Sequence, residues 1–171
     1  INTKMNKLGY YAKKVAKSQP QKIPETDDIF AQVNKVNRQA DEDKTVLRIS
    51  MDAKARVKIG ALSRGGTNRV EVKANDHDFK PKATLTPVGI FLPQFDDFFM
   101  YMVKSRVTAD CLVDRLQEWW YRVRKRFPHR DMLVNNLGNG PENHSRRTQF
   151  MKRLLEFAKQ SGLTICLAYY P

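Results

Sequence analysis

Apolar and polar positions change rhythm along the chain, and the changes divide it into elements. Ile29, Val33, Val36 and Ala40 recur at helical spacing. Thr26 can cap that segment, Asp27 and Asp28 suit the positive end of its dipole, and Asp41-Glu42-Asp43 closes it. From Val46 to Asp52 the period becomes two. Leu47, Ile49 and Met51 face one way and Arg48, Ser50 and Asp52 the other, which predicts a half-buried strand. Ala55 to Gly60, carrying Val57 and Ile59, predicts a second strand. Ser63-Arg64-Gly65-Gly66-Thr67-Asn68 predicts the turn of a hairpin that leads into Val70 and Val72. After a polar loop through Pro81, Leu85 to Leu92 predicts another strand. Pro87 within it points to a sheet edge or to the strand's first residues.

The chain then changes character. Thr108 begins a long helix with Leu112, Leu116, Trp119, Trp120, Val123 and Phe127 on its apolar face, ended by Pro128. Asp131 to Leu137 predicts a short strand and Gly138 to Gly140 a turn. Glu142 to Gln160 predicts a second helix, apolar on Phe150, Met151, Leu154, Leu155 and Ala158, with Gly162 as its stop. Leu163 to Tyr170 predicts the last strand. An antiparallel meander followed by helix, strand, helix, strand is an α/β pattern with helices packed on a mixed sheet. Three antiparallel strands followed by two parallel ones match an RNase H-like order.

Residues 1–25 stand apart. Six lysines occur there before Pro24 without an acidic residue, and Leu8-Gly9-Tyr10 reads as a helix end with Gly9 as terminator. The segment reads as a basic linker or arm ahead of a domain spanning residues 26–171.

Charge sharpens this picture. A net charge of +13 and an isoelectric point near 9.9 attract polyanions, with nucleic acid the commonest and a membrane surface or an acidic protein as alternatives. Cys111 and Cys166 are the only cysteines, a number that fits reduced thiols in a cytosolic protein. With His77, His129 and His144 they make no zinc-finger spacing. No apolar run approaches the roughly 18 residues of a membrane span, and the N-terminus lacks the apolar core of a signal peptide. A cytoplasmic protein, associated with the nucleoid when bound to DNA, is the expectation.

Candidate chemistry starts at Asp52, a carboxylate ending a strand on its polar face, where it can hold a hard cation or simply serve a turn. Lys54, Arg56, Lys58 and Arg64 follow closely and are candidates for phosphate contact. Arg146 and Arg147 fall in the predicted first turns of the second helix. Dipole logic prefers acids there, and the conflict favours a phosphate-facing role. Trp119 and Trp120 could stack on bases, but their spacing with Leu116 and Val123 favours the core. Arg122, Arg124, Lys125, Arg126 and Arg130 suit the negative end of the first long helix as a solvated cap. The glycines at 138 and 140 open a helix after a strand, as in a dinucleotide fingerprint. Asn143 at the third glycine position, and Tyr169-Tyr170 where an acid should end the next strand, argue against that reading. No aromatic-basic strand motif supports RNA binding.

Asn139-Gly140-Pro141-Glu142-Asn143 resembles the Asp-Asn-Gly-Pro-Glu motif of DDE transposases and integrases. The stretches 143–154 and 50–60, Asp76-His77-Asp78-Phe79 and the closing Leu167-Ala168-Tyr169-Tyr170-Pro171 are similar to insertion-sequence transposases of the Rhodopirellula type. Leu8-Gly9-Tyr10 resembles the end of the helix-turn-helix region that precedes the domain in such proteins. The motifs span nearly the whole chain in matching order.

The resemblance implies an RNase H-like domain acting on double-stranded DNA. It also implies three carboxylates that hold two Mg²⁺ or Mn²⁺ ions about 3.5–4 Å apart for in-line displacement at a phosphodiester. Hard divalent ions need such oxygen ligands. Self-association of the intact transposase is also implied. Asp52 matches the first carboxylate. The second Asp belongs at position 138, where glycine stands, and the third, a glutamate, belongs on a helix beyond Pro171. Glu142 better suits a positive helix end than the missing place, Asp131 begins its strand at the far end, and Asn136 and Asn139 are weak metal ligands. The expectation is therefore a C-terminally truncated domain that neither nicks nor joins DNA, with some apolar surface left uncovered and prone to self-association. The alternative is a non-catalytic basic DNA-binding remnant.

Overall fold

A computed structural model describes residues 2–11, 22–63, 67, 69–75, 77 and 80–171. A short helix, α1 (Asn2–Lys7), ends where Gly9 adopts φ +83°, the left-handed conformation in which glycine carries no Cβ penalty. Helix α2 (Thr26–Glu42) leads into strand β1 (Val46–Ala53). Arg48 of β1 grips Asp41 with two hydrogen bonds, 2.8 and 2.7 Å, a bidentate pair that holds α2 against the sheet. Arg130 donates to the carbonyls of Asp43 and Val46 and staples the same corner.

Strands β2 (Val57–Ile59) and β3 (Ala83–Leu92) come next, then β4 (Asp97–Val103), helix α3 (Ala109–Val123), β5 (Met132–Leu137), α4 (Thr148–Ser161) and β6 (Thr164–Tyr169). The sheet runs β2-β3-β1-β5-β6, with β4 on the other side of β3. The β1–β3, β2–β3 and β3–β4 pairs are antiparallel. The β1–β5 and β5–β6 pairs are parallel. The expected α/β class and the three-antiparallel, two-parallel plan are present, but β1, β3 and β4 make the antiparallel part.

Strand β2 continues β1 along the same edge of β3. Ala53 pairs with Val88 and Val57 with Leu85, so four steps on one strand answer three on the other. One residue is therefore extra, and the chain bulges. Pro87 sits opposite that bulge. Its carbonyl accepts from the Lys54 amide at 2.9 Å, and its missing N–H falls where the ladder is already interrupted. Pro87 is thus tolerated inside a strand paired on both sides, contrary to the edge or strand start expected of it.

The core lies between the sheet and the α3–α4 pair. Leu47, Ile49 and Met51 of β1 meet Leu112, Leu116 and Trp119 of α3 and Phe150, Leu154 and Phe157 of α4. Each such apolar side chain stabilises the fold by roughly 1.5–3 kcal/mol through burial. Thr108 caps α3 by accepting from the Cys111 amide at 3.2 Å. Both tryptophans are buried, which removes them as base-stacking platforms. Gly162, at φ +74°, stops α4 as expected. On the other face α2 sets Ala40 and Val36 against Val46, Val134 and Cys166. Both cysteines are free thiols. Among the described residues no helix is long and apolar enough to cross a membrane.

Several expectations need correction. Val70 and Val72 are exposed and form no strand; β3, not a hairpin return, pairs with β2. Thr26 is the first residue of α2 rather than its cap. Helix α4 begins at Thr148, six residues after Glu142, because residues 141–147 spend their backbone on turns. Arg147 stands at the cap position and Arg146 in the preceding turn, so neither lies in the helix's first turns. Phe157, not Leu155, completes the buried face of α4. Arg64 and the acids of Asp76-His77-Asp78 lie outside the described residues.

Candidate functional site

Parallel pairing of β1 with β5 builds the site. The register runs from Val46 opposite Met132 to Met51 opposite Leu137, so the next residues along the two strands are Asp52 and Gly138. Both lie where the central strands end. A cleft of about 150 Å³ opens there, lined by Asp52, Leu112, Gly138, Gly140, Glu142 and Asn143 among others. The sheet thus brings position 138 beside Asp52.

Glycine at 138 is not demanded by the backbone. A Cβ built there meets nothing within 4 Å, and no left-handed φ is involved. Gly140 is different. A Cβ on it would lie 3.1 Å from the Asn143 Oδ1, which would have to move by a few tenths of an ångström to admit it. The Asn143 amide donates to the Gly140 carbonyl at 3.3 Å, and its own carbonyl accepts from the Tyr169 hydroxyl at 2.8 Å. Burial raises the Tyr169 hydroxyl above its ordinary range. The Tyr170 amide donates to the Leu137 carbonyl at 3.0 Å, so the end of β6 braces the end of β5.

Asp52 is half-exposed and its carboxylate accepts from the Lys54 ammonium at 2.5 Å. That hydrogen bond and the charge of Asp52 raise the lysine's pKa. Water screens so exposed a pair, and it holds little energy. Lys54 and Arg56 also line a second, adjoining cleft with Thr86, Arg106 and Glu142. Arg106 escaped the reading of the sequence because it sits in no motif, between a strand and the cap of α3. Lys58 is exposed on β2, and Arg146 and Arg147 are exposed ahead of α4, none of them lining either cleft. Of the basic candidates among the described residues, Lys54 and Arg56 thus line the second cleft and the other three do not.

The oxygen ligands at this end of the sheet do not fit a pair of divalent cations. Asp52 and Glu142 are the acids of the cleft, and Glu142 also faces Lys54, Arg56 and Arg106. Among the described residues no group of three His, Cys, Asp or Glu side chains could hold a metal ion. Asn136 is buried one layer deeper, opposite Ser50, and Asp131 precedes β5 at the opposite end of the sheet.

Comparison with solved structures gives the same fold. The Mos1 mariner paired-end complex with Mn superposes with a TM-score of 0.56 at 10% identity, covering 98% of this chain and 50% of that one. The Mos1 transposase paired-end complex with the left transposon end gives 0.54 at 10% identity, covering 95% and 48%. The chain thus spans about half the length of those structures. Likeness at such low identity carries the RNase H-like fold and no more. Among curated proteins none matches the sequence. The description "Rhodopirellula transposase DDE domain" matches residues 1–171, and the chain belongs to that family.

Proposed function

We propose that this chain is the DDE-domain part of an insertion-sequence transposase that engages double-stranded DNA in the cytoplasm and, with glycine at 138, neither nicks nor joins it. Family chemistry calls for Mg²⁺ or Mn²⁺ between carboxylates, and Asp52 is the residue of this chain that would supply one. The observation that carries the proposal is the juxtaposition of Asp52 and Gly138 at the ends of paired parallel strands. Glycine brings no side-chain oxygen to the place where a second carboxylate would stand. In this reading residues 1–25 form a basic arm ahead of the domain.

DNA engagement rests on the charge of +13 and on the cations of the second cleft. Neutralising phosphates releases counterions, so affinity should fall steeply with salt and should not require Mg²⁺. This non-catalytic DNA binding is also the second reading, should no transposition chemistry exist in any form of the protein. The test incubates the chain with labelled duplexes and Mn²⁺. Intact DNA with salt-sensitive binding is expected. Nicking that Asp52→Ala abolishes would overturn the inactivity, and no binding at low salt would overturn the DNA reading.

A further inference from the structure

Strand β4 is an edge. Among the described residues it pairs with β3 alone. Its side chains alternate: Phe99, Tyr101 and Val103 pack on the core, while Phe98, Met100 and Met102 are 58%, 57% and 47% exposed. Gly89 on β3 makes room for Phe98, whose ring would come within 2.9 Å of a Cβ there. An edge strand is commonly protected by a charge, a proline or a bulge within it. Between Phe98 and Val103 this one has neither charge nor proline, and its register on β3 is unbroken.

Its charges stand at the two ends and differ in sign. Asp96 and Asp97 precede the apolar run, and Lys104 and Arg106 follow it. Asp97 is engaged by Arg126 at 2.7 Å, while Asp96 and Lys104 are exposed.

We infer that β4 is a self-pairing edge, which a second copy of this chain joins antiparallel about a two-fold axis at Met100. With Met100 opposite Met100, Phe98 falls opposite Met102 and Asp96 opposite Lys104, each pairing made twice by symmetry. The exposed stripes of the two copies then share one face of a continuous sheet, and the free amides and carbonyls of both edges find partners. A slip of one residue turns the stripes to opposite faces. Parallel pairing sets Asp96 against Asp96 and Lys104 against Lys104, so the order of acid, apolar run and base selects the antiparallel arrangement. The +13 charge of each copy opposes approach, and physiological salt screens that repulsion beyond about 8 Å. One strand pair is a small interface, and the dimer is transient.

The experiment is sedimentation equilibrium of the chain at physiological ionic strength, from micromolar to near-millimolar concentration, with circular dichroism as the check of fold. The expected result is a monomer–dimer equilibrium without larger species. Met100→Lys places two ammonium groups across the axis and should weaken it about tenfold. Lys104→Glu sets like charges opposite Asp96 and should weaken it roughly three- to tenfold, with Asp96→Lys in the same chain restoring an opposite-charge pair and recovering most of the loss. A monomer throughout the range overturns the inference, and so does a dimer that neither change affects. Should Met100→Lys disturb the fold, the Lys104 and Asp96 pair still decides.

Discussion

The hydroxyl of Tyr169 on the last strand donates to the main-chain carbonyl of Asn143, 2.8 Å away in the loop that follows β5. That loop carries Gly138, Gly140 and Glu142, so a side chain from β6 holds one wall of the cleft beside Asp52. Tyr169→Phe removes the bond and keeps the ring. It should cost about 1 kcal/mol of stability and speed hydrogen exchange at 138–147. Unchanged exchange in those amides would show that the loop is held by other means.

Burial raises the pKa of Tyr169 above its ordinary value of 10.0. The unfolded chain therefore ionises at lower pH than the folded one. The stabilising contribution is complete below pH 10 and is lost as pH rises through the folded value. Alkaline titration followed by urea unfolding should show a shallower loss of stability above pH 10 in Tyr169→Phe than in the parent chain. Tyr101 shifts in the same direction, chiefly by burial, so some loss should remain in the variant.

The buried face of α4 makes a second test. Phe157 is 2% exposed and Leu155 57%. Phe157→Ala should cost about 3–5 kcal/mol, and Leu155→Ala should stay within about 0.5 kcal/mol. Equal losses in denaturant titrations would mean that the helix sits in another rotation.

Space for a side chain at 138 allows a gain-of-binding experiment. Gly138→Asp meets no atom within 4 Å at its Cβ, so the fold should persist. It sets a second carboxylate beside Asp52. Mn²⁺ should then raise the melting temperature by about 2–4 °C for each kcal/mol of binding free energy, with no such rise in the parent chain. Asp52→Asn in the same background should remove the effect. An Mn²⁺ response in the parent of equal size would sink the idea that glycine disables the site.

Lys54, Arg56 and Arg106 line one cleft, and each phosphate contact contributes about one unit to the salt dependence of DNA binding. Arg106→Ala should therefore lower the slope of log affinity against log salt by about 1. Lys54→Met should do the same while also freeing the Asp52 carboxylate. Slopes that match the parent's would place the DNA on another face.

Much of the fold was readable from local pattern. The alternation of 46–52, the apolar stripe of 112–123 and the glycine stop at 162 each give the element they predict, the first two because the core buries one side of each more deeply than the other and the last because glycine adopts a left-handed φ without a Cβ penalty. Strand β4 was missed for the opposite reason. Phe98 to Val103 is apolar at every position and shows no period, although one side meets the core and the other meets solvent. The start of α4 was misplaced because Glu142, Asn143 and His144 suit a helix start and a turn equally well, and Tyr169, 26 residues away, holds the turn. That contact also hides from any local reading which side of the loop faces the cleft.

Asp52 as a strand-ending carboxylate, the glycine at 138 and the excess of positive charge are properties of the sequence by itself. So is membership of the family, since the motifs lie in order along the chain. Which residues adjoin was decided only by tertiary structure. The parallel register of β1 and β5 sets 138 beside 52, the bulge after Ala53 directs Lys54 and Arg56 toward Arg106 and Glu142, and pairing on one side alone leaves β4 open. Residues 86 positions apart meet because strand pairing and core burial jointly set one register, and a slip of one residue would turn the buried side chains of β1 to the other face.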